Sequence, residues 1–451
     1  MTTLPNEVIG DAQTSTFHWR VLEDLVDIGN RMAGQQGERR GAERVRDAFE
    51  EIGLRNVDLE EFEIDGWWRG DAVLETAGSH TDTYNADYQV IGLPGTPSGT
   101  VEAELVDVGS GRLADFEDAD LEGKVAMASS ETPDDHDRRL HRMEKYASAV
   151  DAGAVGFVFR NHVEGCLPAT GEIGYDNRPG PIPAVGVSKE VGRRLLRHAE
   201  DGELTAELAV EARNEPTDSV NVVGEVGPDT DEVVMVTSHV DAHDIAEGAN
   251  DNGAGTALVC EIARLLKQVE DDLETRVRFV PFGSEEIGLQ GAYHSAATQN
   301  LETVKCVINI DGAGNSRTLW INANEFDAVE ELFEEIASEY DVPLETSDTI
   351  SPHGDQWAFV QEGVPASMTA STSDSSGRGW GHTHADTLDK LDVRDFRELS
   401  VLVASAAFTA AEADREFPQR SREETKELLD EGYVQELRIG GRWPYEDDPE
   451  V

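Results

Sequence analysis

Lysine is scarce in this chain: only Lys124, Lys145, Lys189, Lys267, Lys305, Lys390 and Lys426 occur in 451 residues. Lysine and arginine together number 37 against 92 aspartates and glutamates, a net charge of −55. An excess of that size repels nucleic acid and anionic membranes at low salt, which argues against both as partners. The acidity is spread along the whole chain. A lysine-poor, acidic surface suits concentrated salt, where the Debye length shrinks to roughly 3 Å at 1 M, so the composition reads as halophilic, for a salt-rich cytoplasm. Cysteine is also rare. Cys166, Cys260 and Cys306 cannot make a disulfide framework, and the latter two lie in apolar runs as small core residues. No basic, apolar leader opens the chain at Met1-Thr2-Thr3-Leu4, and no stretch approaches about 18 uncharged apolar residues. The expectation is a soluble, cytoplasmic protein.

What the chain does contain is regular enough to fold as two or three domains. Helical spacing runs over 17–54 (Leu22, Leu25, Val26, then Val45, Ala48, Phe49), broken by Arg31-Met32-Ala33-Gly34. Strand-like stretches follow at 57–64 and 72–76, and Thr96-Pro97-Ser98-Gly99 is turn chemistry. From about 99 to 215, strands at 101–108, 125–128, 156–159 and 184–187 alternate with helices at 138–152 and 189–200, a self-contained α/β insert. Its histidines, His136, His141, His162 and His198, are scattered in sequence and read as structural or exposed. Apolar runs at 233–236, 277–280 and 307–310 are short and β-branched, as for strands buried on both faces. Helical stretches at 256–269 and 328–340 alternate with them. That pattern gives an α/β fold with a mostly parallel, mixed sheet flanked by helices. The division expected is 17–98 and 216–415 for the main domain, 99–215 for the insert, and a charged tail at 416–451.

In such sheets ligands gather beyond the carboxyl ends of the strands, and that is where the chemistry-bearing residues fall. They are His239 and Asp241, Asp251 in the turn Gly248-Ala249-Asn250-Asp251-Asn252-Gly253, the pair Glu285-Glu286, Asp311, and His382. A hydrolytic two-metal site needs a bridging carboxylate, an imidazole for each ion, further carboxylates, and a base that is not a ligand. Asp251 is the natural bridge. Asp241 can hold the second nitrogen of His239. One carboxylate of the Glu285-Glu286 pair can bind metal while its neighbour faces the attacking water. Asp311 and His382 complete the set. Taken singly, each has a plainer reading: an acidic pair as solvated surface, an aspartate after a strand as a cap, a Gly-rich turn as a phosphate loop. No Lys-Ser or Lys-Thr comes next to support that last reading. His243, His294 and His353 read as structural, with His353 also able to line a pocket.

Around these residues the chain resembles the zinc aminopeptidase family M28. The resemblance rests on His239-Val240-Asp241, Gly248 to Gly255, Ser284-Glu285-Glu286-Ile287-Gly288-Leu289-Gln290-Gly291, Asn309-Ile310-Asp311 and His382-Thr383-His384-Ala385-Asp386-Thr387. Arg31-Met32-Ala33-Gly34 resembles the family's amino-terminal loop signature. The resemblance implies a zinc-exopeptidase fold and two Zn²⁺ ions, one held by His239, Asp251 and Asp311, the other by Asp251, Glu286 and His382. It implies Glu285 as general base, a peptide as substrate, and a cis peptide after Asp251. Alignment on Asp386-Thr387 selects His382 over His384. Gly381 stands where some relatives have an oxyanion-supporting tyrosine. The insert resembles a protease-associated (PA) domain through Gly123-Lys124-Val125-Ala126-Met127, the stretch 149–157 and Ile182-Pro183-Ala184-Val185.

Rival readings make different demands. An M20-type enzyme places a whole domain between the fourth ligand and the last histidine, but only 71 residues separate Asp311 from His382. A receptor-like relative would have lost a ligand or the base, and none is missing. A dipeptidase or carboxypeptidase-like branch stays open, because Asp241-Ala242-His243-Asp244 and His382-Thr383-His384 resemble it; a glutaminyl cyclase is disfavoured by the PA-like insert. The ligand types also suit Co²⁺, Mn²⁺ or Ni²⁺, and a homo-oligomer is compatible with the sequence.

Overall fold

The computed structural model describes residues 4–174, 179–372 and 379–445; Met1 to Thr3 of the amino-terminal stretch and the last six residues of the tail lie outside them. Four strands, Arg276–Phe282, Val233–His239, Val304–Ile310 and Ala366–Ser371, lie side by side and parallel. Leu319–Asn322 joins antiparallel to Ala366–Ser371 and is flanked by Leu344–Ser347. The strands Val233–His239 and Val304–Ile310 are buried at every position, which explains their unbroken apolar sequence. Helices Gly255–Lys267, Gln36–Ile52, Asp327–Tyr340 and Val393–Ala410 contribute their apolar faces to this core.

Two features were not legible as separate stretches. Arg55–Gly78 is one strand of 24 residues, paired antiparallel with Leu204–Val226 along nearly its whole length. This ribbon runs from one body into the other. One end of Leu204–Val226 pairs with Arg276–Phe282 of the main sheet, the other with Gly99–Asp107 of the insert. The two half-strands expected at 57–64 and 72–76 therefore belong to one element, with a bulge at Arg69 to Ala72.

The insert is a second α/β body. Gly99–Asp107, Val125–Ser129, Gly156–Arg160 and Ala184–Val187 are parallel neighbours, with Arg142–Asp151 and Lys189–Glu200 as its longer helices. Residues 72–92, expected with the main domain, pack with the insert instead: Val90–Gly92 pairs with Ala184–Val187, and Leu74, Tyr84 and Val90 share a core with Leu105, Val125 and Val158. The local turn at residues 96–99 thus falls inside this body. The tail is a packing arm. Its helix Glu431–Ile439 lies against Arg142–Asp151 of the insert, and Tyr445 Oη donates to the Gln361 carbonyl at 3.3 Å. Among the described residues no helix is long and apolar enough to cross a membrane.

Candidate metal centre

The turns beyond the parallel strands converge. His239 ends its strand in register with Phe282, and the next amide, Val240 N–H, donates to the Phe282 carbonyl at 2.8 Å. Beyond Phe282 the backbone reverses through Ser284, a non-glycine residue at φ 58°. Asp241 anchors the two residues after that reversal: its two carboxylate oxygens accept the consecutive N–H groups of Glu285 and Glu286, each at 3.1 Å. The two glutamate side chains then serve different imidazoles. Glu285 Oε2 lies 4.0 Å from His239 Nε2, and Glu286 Oε2 lies 3.4 Å from His382 Nε2. The Asp241 carboxylate is also 3.4 Å from His239 Nδ1, but that nitrogen's hydrogen-bond partner is Asp241's own carbonyl at 3.2 Å.

Asp251 stands between the two groups. Its Oδ1 is 3.3 Å from His239 Nε2 and its Oδ2 is 3.1 Å from His382 Nε2, while Asp311 Oδ1 is 3.7 Å from His239 Nε2. The Asp251-Asn252 peptide is cis. Donors about 2.0–2.2 Å from a tetrahedral zinc sit roughly 3.3–3.6 Å from each other, so these separations fit a shared cation on either side of Asp251. The ligand atoms of His239, Asp251 and Asp311, and those of His243, Glu286 and His382, each fall within 4.8 Å of one another. His239 Nε2 and Glu286 Oε1 are buried and make no hydrogen bond, as expected of atoms aimed at a cation. His384 takes no part; it is associated with Arg69 and Asp244 instead.

Several further residues support the centre. Arg31, fully buried, donates to the carbonyls of Leu25, Val240, Glu247 and Gly248 at 2.8–3.0 Å and so pins both ends of the loop from His239 to Asp251. Burial lowers its pKa to about 10 against the pull of Asp386 and Asp241. Asp386 accepts the N–H groups of Asn250 and Asp251 at 2.8 and 3.1 Å. Glu38 accepts from Gly34 N–H, Ser284 N–H and Ser219 Oγ, tying the amino-terminal loop to the turn before Glu285. Asp355 is buried close enough to feel Glu285 and His239, and neither of its oxygens has a hydrogen-bond partner. Arg31 and Asp386 had a signal in the sequence, through the Arg31 to Gly34 and His382 to Thr387 motifs. A lone Glu38 or Asp355 in so acidic a chain has none.

The electrostatics match a cation site. Burial, reinforced by neighbouring carboxylates, pushes Glu285 and Glu38 up to about 8, Asp386 to about 7, and Glu286 and Asp355 well above the carboxylate range. Like charges in low dielectric hold protons on each other. Divalent ions reverse that balance.

The insert, read from sequence as lacking a catalytic constellation, reaches this centre. Thr170 N–H donates to the His382 carbonyl at 2.9 Å, and His382 itself sits at φ 55°. His141, Arg142 and Glu172 of the insert and Arg442 of the tail line a cleft with Glu285, Glu286 and His382. A neighbouring cavity of about 240 Å³ is bounded by Arg142, Thr170, Gly381 and His382. Residues far apart in sequence meet here, so the sequence could not associate them.

Residues 221–407 match the model of peptidase family M28, and residues 101–195 match the PA domain. The chain is 28% identical to aminopeptidase YwaD of Bacillus subtilis over 86% of its length and 83% of the relative's. It is 26% identical to carboxypeptidase Q of Bos taurus, covering 91% and 88%. Among solved structures, a zinc aminopeptidase from Bacillus subtilis aligns with a TM-score of 0.70 at 26% identity, covering 90% of this chain and 98% of that one.

Proposed function

The chain belongs to peptidase family M28, a metallo-exopeptidase with a PA domain, and we propose that it is an aminopeptidase with a two-zinc centre in which Glu285 is the general base. His239, Asp251 and Asp311 would hold one ion, Asp251, Glu286 and His382 the other. The observation that carries this reading is Asp251, whose two oxygens address two separate imidazoles at 3.3 and 3.1 Å. When bound, such ions polarise the scissile carbonyl and lower the pKa of the attacking water to around 7. Glu285, outside both donor groups, takes that water's proton and returns it to the leaving amine. Asp241 fixes the backbone of Glu285 and Glu286 so that each side chain keeps its own task. The surface charge suits work in a salt-rich cytoplasm.

Glu285→Ala tests the mechanism. Turnover should fall by roughly 10²–10⁴-fold or more with zinc content by elemental analysis unchanged. Retained hydrolysis sinks the assignment.

One observation favours a second reading. Arg142 and Arg442 line the cleft beside Glu285 and Glu286, and guanidinium groups suit a free carboxylate. A dipeptidase acting on unblocked dipeptides would use them. Cleavage rates on leucine p-nitroanilide, a free dipeptide and its carboxy-terminal amide separate the two: an aminopeptidase cleaves all three, and a dipeptidase loses the anilide and the amide.

A further inference from the structure

Asp251, Glu286 and His382 supply three donors to the second position, but a fourth buried donor faces it. His243 is 5% exposed. Its Nε2 lies 2.9 Å from Glu286 Oε2, the same oxygen that lies 3.4 Å from His382 Nε2. The two imidazoles stand nearly perpendicular, at 82° with centroids 4.3 Å apart. Neither nitrogen of His243 makes a hydrogen bond, although leaving a buried polar group unsatisfied costs about 1–3 kcal/mol. The residues on both sides of His243 are anchored. Ala242 N–H donates to the Arg31 carbonyl at 3.2 Å, and Asp244 is clamped by Arg69 at 2.6–3.1 Å.

A second group of possible donors shows what such convergence excludes. His141, His353 and Glu436 also lie close together. There, however, the imidazoles stack at 28° and 4.4 Å, so their in-plane lone pairs run alongside each other, and Glu436 is already balanced by Arg138 at 3.0 Å. That group is a clamp between insert, main body and tail. Among the described residues Glu286 is paired with imidazoles and not with an arginine or lysine.

We infer that His243 is a fourth protein ligand of the second metal position, giving that position two imidazoles where the first has one. The inference rests on the two-ion reading of the centre. A nitrogen-richer site favours zinc, cobalt or nickel over manganese, so the second position should be the more selective of the two.

The test is titration of the metal-free full-length protein with Zn²⁺ against a chromophoric chelator, repeated with Co²⁺ read by its visible absorption. The wild type should take two equivalents. His243→Phe should keep the first unchanged and weaken the second at least about 10-fold, with an altered Co²⁺ spectrum for that equivalent alone. His243→Cys, which restores a donor, should recover most of the affinity and shows that the loss is not misfolding. Unchanged affinity and spectrum of the second equivalent in His243→Phe, or in His243→Asn if the Phe variant does not fold, overturns the inference while leaving two ions in place. A wild type that takes a single equivalent overturns the two-ion reading, and this inference with it.

Discussion

The two bodies of this molecule bury charge in opposite ways. In the PA insert the buried cations Lys145 and Arg138 are held by hydrogen-bond acceptors. Lys145 donates to the carbonyls of Ser129 and Glu131 at 2.7 and 3.3 Å, and Arg138 is shared between Glu144 and Glu436 at 2.7 and 3.0 Å. At the edge of the main sheet the opposite holds. Glu38, Asp241, Asp251, Glu286, Asp311, Asp355 and Asp386 are buried together, and the guanidinium among them, Arg31, is committed to four backbone carbonyls. An excess of like charge opposes folding. Its concentration at one sheet edge, with hydrogen-bonded backbone around it, marks the place where stability has been given up for cation binding.

Substitutions at the buried acids and their supports probe this contrast. The largest effect is expected from Asp251→Ala, which removes the shared carboxylate. Metal content should fall by at least one equivalent and activity below detection, whereas a variant retaining both ions would show that the buried acids are not organised around Asp251. Next comes Arg31→Met, which leaves buried carbonyls without a donor. It should destabilise the fold by about 3–5 kcal/mol in chemical denaturation and weaken metal binding, although Arg31 touches no ligand atom; a loss below about 1 kcal/mol would mean that the loop is held by other contacts.

The smallest effects are a pair of opposite sign in different pH windows, one substitution destabilising and the other stabilising. Burial alone would raise Glu261, but His18, 3.7 Å away, and the hydrogen bonds from Arg264 outweigh it and hold it at about 2. Its folded pKa is depressed, so its contribution is present above the unfolded value near 4.5 and is lost as pH falls towards 2. Glu261→Gln should therefore cost on the order of 3 kcal/mol near pH 6 and almost nothing near pH 2. Burial lowers Lys145 to about 7. Between pH 7 and 10.5 the unfolded chain binds a proton that the folded one does not, so stability rises with pH across that window. Lys145→Met should compare most favourably with the wild type below pH 7 and lose that advantage by about pH 10. Melting temperatures across pH check both: Glu261→Gln as stable as the wild type near pH 6, or Lys145→Met comparing no better with the wild type near pH 6 than near pH 10, would contradict these expectations.

Much of the architecture could be read from local pattern. The fully buried strands appear as unbroken apolar runs, and the helical stretches 17–54 and 328–340 as apolar residues at helical spacing. Other parts could not. Arg55–Gly78 alternates weakly because its ribbon is half-exposed over much of its length, so its middle does not read as strand. Residues 72–92 join the insert only through pairing with strands more than 90 residues away. The roles of Glu38 and Asp355 depend on burial, which one acid among 92 does not advertise.

Local sequence was enough for the fold class, the two bodies and the order of donors along the chain, because strand ends and their turns are written in periodicity and turn chemistry. Tertiary packing alone set that Asp241 anchors both glutamates, that His243 lies beside Glu286, and that insert and tail residues line the cleft. Those relations join residues that share no local pattern. They exist only once packing has brought the ends of separate elements within a few ångströms of one another.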